Sequence, residues 1–206
     1  MMGKLLLQFY RKINVIVYCI PAIFFCTPIV AQRCNTYQYQ KTVSGNSQNN
    51  LIAAKTSSIT RDTLANEVIT IPVVIHVLYN KATENISDAQ ILSQIKALNN
   101  DYSKLNTDAA NVPRAFASLA ADTRIAFCIA KTDPSGKLTT GIIHKYTPVQ
   151  SWTADDGMKF TAQGGDNAWD SKRYLNIWVC NLFGRSLGYS SLPGSQTDKD
   201  GVVIQY

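Results

Sequence analysis

The stretch from Ile71 to Leu105 constrains the fold more than any other part of the chain, because it sets a buried strand directly before a well-marked helix. The run IPVVIHVLY, Ile71 to Tyr79, is apolar at nearly every position and rich in β-branched residues. A half-exposed strand would alternate apolar and polar residues, so this run predicts a strand buried on both faces, in the middle of a sheet. Ser87 then has the form of an N-cap, with Gln90 three positions on to complete a capping box and Ile86 placed to pack on Ile91 across the cap. Ile91, Ile95, Leu98, Tyr102 and Leu105 follow at spacings of four, three, four and three, which puts them on one stripe of a helix. That stripe must lie against the sheet.

Upstream, Met1 to Ala31 has the form of a signal peptide: Lys4, Arg11 and Lys12, then an apolar body from Ile13 to Val30, then a small residue where a peptidase could cut. Pro21, Pro28 and Ala31 favour cleavage over a retained membrane anchor, so the membrane enters only through this segment. The chain holds 20 Lys+Arg and 14 Asp+Glu; losing Lys4, Arg11 and Lys12 leaves 17 basic residues against 14 acidic, a balance of +3. Lys172 and Arg173 are the one adjacent basic pair that remains, and no basic run is interleaved with aromatics, which excludes a nucleic-acid surface. Residues 32–69 are polar and weakly patterned, with SGNSQNN at Ser44 to Asn50, and are expected to be a pro-segment or linker without an element of their own.

From residue 70 to Tyr206 the composition changes to apolar runs separated by turn signals, about the size of one small domain. Beyond the first strand and helix, strands are predicted at Arg124 to Ala130, Tyr174 to Leu182, Leu187 to Leu192 and Gly201 to Tyr206, with a short extended piece within Leu138 to Thr147. The turn TDPSGK, Thr132 to Lys137, separates two of these. Asn106 to Ala121 and Gln150 to Asp170 are expected to be mostly irregular. The order predicts an α/β (α+β) fold: a mixed, twisted sheet of about five strands with a backing helix.

Residues with the means for chemistry are few. Of the two histidines, His76 lies inside the central strand and is expected to be a hydrogen-bonded core residue, and His144 a half-exposed strand residue. No HExxH, CxxC, GxGxxG, Walker loop or GxSxG occurs. DKDG, Asp198 to Gly201, is expected to be a plain β-turn, since Gln196 stands where a calcium loop needs its first ligand. Three cysteines remain after the leader. Cys128 and Cys180 fall in two predicted strands, where they either pair as a disulfide or pack as small apolar groups, and Cys34 is left over.

Taken together, IPVVIHVLYN, NISDAQI, AADTRIAFCIA, TDPSGK leading to TTGI, YLNIWVCNL, LGYSSLPG and the final DGVVI resemble the pappalysin-type, cytophagalysin-like zinc metallopeptidases, a metzincin branch common among secreted bacterial proteins. The resemblance runs over Ile71 to Tyr206, and QRC at Gln32 to Cys34 is similar to the start of the family's pro-segment. It implies a metzincin-like N-terminal subdomain and export to the outside or surface of a bacterium. In the family a helix HExxHxxGxxH follows DGVVI; its three His hold zinc and its Glu is the general base on the bound water. The sequence reaches Tyr206 without that helix, so no catalytic or metal residue carries over to any position here, and zinc is expected for the complete family enzyme and not for this chain alone. What carries over is scaffold. Leu187, Gly188, Tyr189, Ser190 and Ser191 take the place of the edge strand whose backbone pairs with an extended peptide substrate, an edge that is either open to such a peptide or covered by a loop. Cys34 is either the candidate latency thiol, able to ligate the zinc of the complete enzyme until the segment is removed, or a plain unpaired or dimer-forming cysteine. The expected function is the N-terminal portion of a secreted zinc-dependent metalloendopeptidase, inactive as this chain, with an exposed apolar patch where the family's covering helix would lie. The other class consistent with these residues is a non-catalytic exported module that binds peptides or a surface.

Overall fold

A computed structural model of the chain describes residues 33–43, 67–192 and 196–206; the leader expected at Met1–Ala31, the SGNSQNN run and Pro193 lie outside them. The elements, in chain order, are β1 (Arg33–Cys34), α1 (Thr36–Val43), β2 (Ile69–Tyr79), α2 (Asp88–Tyr102), β3 (Ile125–Ile129), β4 (Ile142–Tyr146), β5 (Leu175–Cys180), β6 (Ser186–Ser190) and β7 (Val202–Gln205). The strands form one sheet in the order β1-β6-β7-β5-β2-β3, with β4 also on β2. β2 is parallel to β3, β4 and β5, β5 is parallel to β7, and β6 is antiparallel to β7. The mixed α/β sheet is as expected, but among the described residues it has seven strands rather than about five: the extended piece at Ile142–Tyr146 pairs in full, and Arg33–Cys34 joins the far edge.

β2 is central because its side chains are apolar on both faces; Val73, Val74 and Val77 are fully buried and Leu78 nearly so. Its Pro72 is tolerated for a reason visible in the register. Ile69 N–H donates to Arg124 O and Val73 C=O accepts from Ala130 N–H, so odd-numbered residues face β3. The missing amide of Pro72 therefore faces β5, where pairing begins only at Val73 with Leu175. β3 and β4 lie end to end along the other side of β2, pairing with Ile69–Val73 and Ile75–Tyr79 respectively. Gly141 makes the join: its φ is +67°, its carbonyl accepts from Ile75 N–H at 2.9 Å, and a Cβ there would lie 2.5 Å from Ala130 O.

α2 starts as expected, with Ser87 Oγ accepting from Gln90 N–H at 3.3 Å. Ile91, Ile95, Leu98 and the staple residue Ile86 pack on Val73, Ile75, Val77, Phe127 and Val179. Asn99 meets β3 as a strand would, donating to Phe127 O at 2.9 Å and accepting from Phe127 N–H at 2.7 Å. The helix stops at Tyr102 and leaves Leu105 74% exposed, one position the periodicity placed wrongly. Ser103 Oγ takes the Asn99 carbonyl and Lys104 turns into the left-handed region at φ 59°, which ends the stripe.

The opposite face of the sheet is covered by irregular chain and by α1. Leu78, Trp152, Met158, Trp178, Cys180, Leu182, Tyr189 and Val203 form this second core, and Tyr39 of α1 belongs to it at 3% exposure. The expectation that residues 32–69 hold no element therefore fails at Thr36–Val43.

Candidate functional site

β6 sits one strand in from the sheet edge, and its backbone has an inner and an outer row of polar groups. Tyr189 faces β7, opposite Val203. Gly188 and Ser190 face outward, and the chain itself satisfies them. Asn35 N–H donates to Gly188 O at 2.8 Å, Ser190 N–H donates to Thr36 Oγ1 at 3.1 Å, and Gln40 Nε2 donates to Ser190 O at 3.3 Å. On its inner side Gly188 lets β6 approach β7 closely: a Cβ there would lie 2.4 Å from Val203 O. The end of the edge is tied down by Ser191, whose hydroxyl donates to Asp200 Oδ1 at 2.7 Å and accepts from Gly201 N–H at 2.8 Å. This stretch is thus occupied by the chain's own N-terminal residues: Arg33 and Cys34 pair in parallel register with Ser186 and Gly188, and Asn35, Thr36 and Gln40 bond to Gly188 and Ser190.

That pairing puts Cys34 opposite Gly188. Its thiol is exposed, 3.1 Å from Thr36 Oγ1, and the Thr36 hydroxyl and amide together hold it below the usual thiol range. The Thr36 hydroxyl, accepting from Ser190, has its own proton free for the sulfur, so one side chain joins the thiol to β6.

The disulfide between Cys128 and Cys180 does not form; both are free thiols. Cys128 is level with Pro72 and Cys180 follows Val179, which is level with Val77, with β2 lying between their strands. Two strand spacings of roughly 4.8 Å, plus five to six residues of offset, exceed the limit of about 7 Å between bridged Cα atoms. Cys180 packs as a buried apolar group, its thiol pushed up to about 12 by burial with Glu84 adding to the shift.

Below α1 lies a buried ion pair. Lys159, fully buried, brings Nζ within 2.8 Å of Asp156 Oδ1 and donates to Lys199 O at 2.7 Å. Tyr189 Oη is 3.1 Å from Asp156 Oδ1, and Tyr39 donates its hydroxyl proton to Asp156 Oδ2 at 2.7 Å. Asp156 holds a left-handed backbone, φ 69°, to reach this position. Burial, with the Asp156 carboxylate beside it, pushes the Tyr39 phenol far above its ordinary range. Sequence reading missed this cluster. Tyr39 stands in a polar stretch, and Asp156 and Lys159 stand in an irregular one, so nothing periodic marks them.

His76 is the core residue expected of it. Nδ1 lies 2.7 Å from Asp166 Oδ2 and Nε2 lies 3.2 Å from Asn176 Oδ1. Asn176 is oriented by Trp169, whose N–H it accepts and whose C=O it donates to, so its oxygen faces the ring. Lys145 completes the group at 2.9 Å from Asp166 Oδ1. His144 is likewise engaged at both nitrogens, by Asn85 and Asp88. Among the described residues no three His, Cys, Asp or Glu converge on a point where a metal ion could sit. The described residues therefore do not fit a zinc site.

Fold and edge together define an α/β domain like that of a metallopeptidase. Solved structures similar to the chain are those of mirolysin, a metallopeptidase. Mirolysin in complex with compound 9 and mature mirolysin of Tannerella forsythia in complex with a cleaved peptide are each 49% identical, with TM-score 0.66, over 68% of this chain and 53% of theirs. A promirolysin variant of the same organism is 48% identical, with TM-score 0.66, over 68% of this chain and 47% of its own. The chain spans about half the length of the solved structures it matches. No family profile and no curated protein matches it. The likeness supports a metallopeptidase family for the matched part.

Proposed function

We propose that this chain is the N-terminal portion of a secreted zinc-dependent metalloendopeptidase of the pappalysin type, in a latent arrangement. The observation that carries the reading is the outer row of β6, where Asn35, Thr36 and Gln40 take the backbone groups that an extended substrate would pair with. Mature mirolysin binds a cleaved peptide and has a pro-form, which supports a peptide substrate for the complete enzyme and a removable segment at residues 32–69. Leu187, Gly188, Tyr189, Ser190 and Ser191 are the substrate edge under this reading, and Cys34 is the thiol that keeps the complete enzyme latent. Zinc would supply an activated water for peptide hydrolysis, held by an HExxHxxGxxH helix and not by residues of this chain. Met1–Ala31 is the export signal, to the outside or surface of a bacterium.

Coding DNA beyond codon 206, read in all three frames, is expected to contain HExxHxxGxxH. In the product that carries it, Cys34→Ala should give peptidase activity before the segment is cut away. Absence of the motif from every frame, or a Cys34→Ala precursor as silent as the wild type, would count against the reading.

A further inference from the structure

We propose that Asp156, Met158, Lys159 and Tyr189 form a tyrosine-selective socket, and that a peptide carrying Tyr39 stays bound there after the chain linking it to β2 is cut. This rests on residues 32–69 being a removable segment, and it adds a second point of attachment, independent of the thiol. The walls all come from residues outside that segment. The Tyr39 ring lies 4.6 Å from the Tyr189 ring, tilted by 38°. The Lys159 ammonium stands 5.5 Å from the Tyr39 centroid, 5.2 Å from that of Tyr189 and 5.4 Å from that of Trp178, so one buried cation faces three aromatic rings. Met158, fully buried, brings its sulfur to 3.1 Å from Tyr189 Oη.

The carboxylate selects the phenol. Asp156 Oδ1 is taken by Lys159 and Tyr189, while Oδ2 receives the Tyr39 hydroxyl at 2.7 Å. A phenylalanine would fill the same space and leave a buried carboxylate oxygen without that donor, and losing a hydrogen bond to a charged acceptor weakens binding roughly 10- to 100-fold. Such a cluster is costly to build. A buried Lys–Asp pair suffers desolvation that a well-packed apolar pair would avoid, and Asp156 adopts a strained backbone to make it. A socket that must recognise one hydroxyl accounts for retaining it.

The test inserts a recognition sequence for a specific protease between Lys55 and Arg61 of the full chain, cuts there, and follows the N-terminal fragment by native gel filtration. The fragment is expected to co-elute with the rest of the chain and to be displaced by a synthetic peptide of residues 33–43. The same peptide with Phe in place of Tyr39 should compete about 10- to 100-fold more weakly, a comparison made on an unaltered socket. Tyr39→Phe in the cut chain should speed release by a similar factor, while Cys34→Ala should leave release unchanged. Immediate loss of the wild-type fragment, equal competition by the two peptides, or a release rate set by Cys34 instead of Tyr39 would each overturn the proposal. Because retention is read without metal or activity, its failure is distinct from failure of the latency reading, which Cys34→Ala tests through premature peptidase activity.

Discussion

Asp156 shows what a buried carboxylate requires of its neighbours. Desolvation holds Lys159 below the ordinary amine range, and its hydrogen bond and charge contact with Asp156 offset that only in part. Removing one member strands the other, so Lys159→Met or Asp156→Leu alone is expected to cost about 3–5 kcal/mol in urea unfolding. The double variant should cost clearly less than the sum of the two. Additive losses would mean that the pair is not coupled. Asp166 gives a pH dependence. Burial alone would raise its carboxyl, but hydrogen bonds from His76 and Lys145 outweigh burial and hold it below the usual range. A carboxyl depressed in the folded state contributes stability above its unfolded value near 3.9, and that stability is lost as pH falls through the folded value. Unfolding free energy should therefore drop on acidification below about pH 4. Asp166→Asn should be less stable at pH 7 and show a flatter acid limb.

At the scale of elements, β6 depends on one residue without a side chain. Gly188→Ala would put a methyl group 2.4 Å from the Val203 carbonyl, a backbone atom that cannot give way cheaply. The expected loss is about 1–3 kcal/mol by overpacking, together with faster amide hydrogen exchange at Asn35 and Ser190, whose bonds cross this edge. Unchanged exchange at both would show that β1 does not depend on the β6 backbone. The elements differ in how legible they were. β2 and α2 could be read directly because their burial is written in the sequence, as nine consecutive mostly apolar residues in one case and as a helical stripe from Ile91 to Tyr102 in the other. β1 and α1 could not. A two-residue strand has no period, and α1 buries Tyr39 while its neighbours Tyr37 and Gln38 are exposed. The edge itself was legible as LGYSSL through resemblance, but its occupant was not, because the contacts to Gly188 and Ser190 come from one backbone amide and two isolated polar side chains, Thr36 and Gln40, which form no periodic pattern. The pairing of Asp156 with Lys159 was hidden for a related reason. Spacing places them three apart, but only the fold brings Tyr39 and Tyr189 to the same carboxylate.

Across the whole molecule, apolar surface and metal donors are distributed in a way that bears on zinc. On the α2 side of the sheet a groove of about 210 Å³ runs between the helix and β5 and β7, lined by Ile91, Ile95, Leu98, Ile177, Val179 and Ile204 among others. That is an apolar seat with no histidine in it. The sequence holds two histidines in all, and each has both ring nitrogens committed, His76 to Asp166 and Asn176, His144 to Asn85 and Asp88. Zinc binds neutral imidazole, thiolate or carboxylate in convergent sets of three or four. To recruit either histidine it would have to break a charge-assisted contact, and the other imidazole projects from the opposite face of the sheet, since His144 is level with Val77 and not with His76. Purified 206-residue chain dialysed against micromolar zinc is therefore expected to retain far less than one equivalent by atomic absorption, with His76→Gln changing stability but not the metal content. A product extended through an HExxHxxGxxH helix should retain one equivalent under the same dialysis. One chelator-reversible zinc on the 206-residue chain would mean that a donor set forms here which the engaged histidines do not provide.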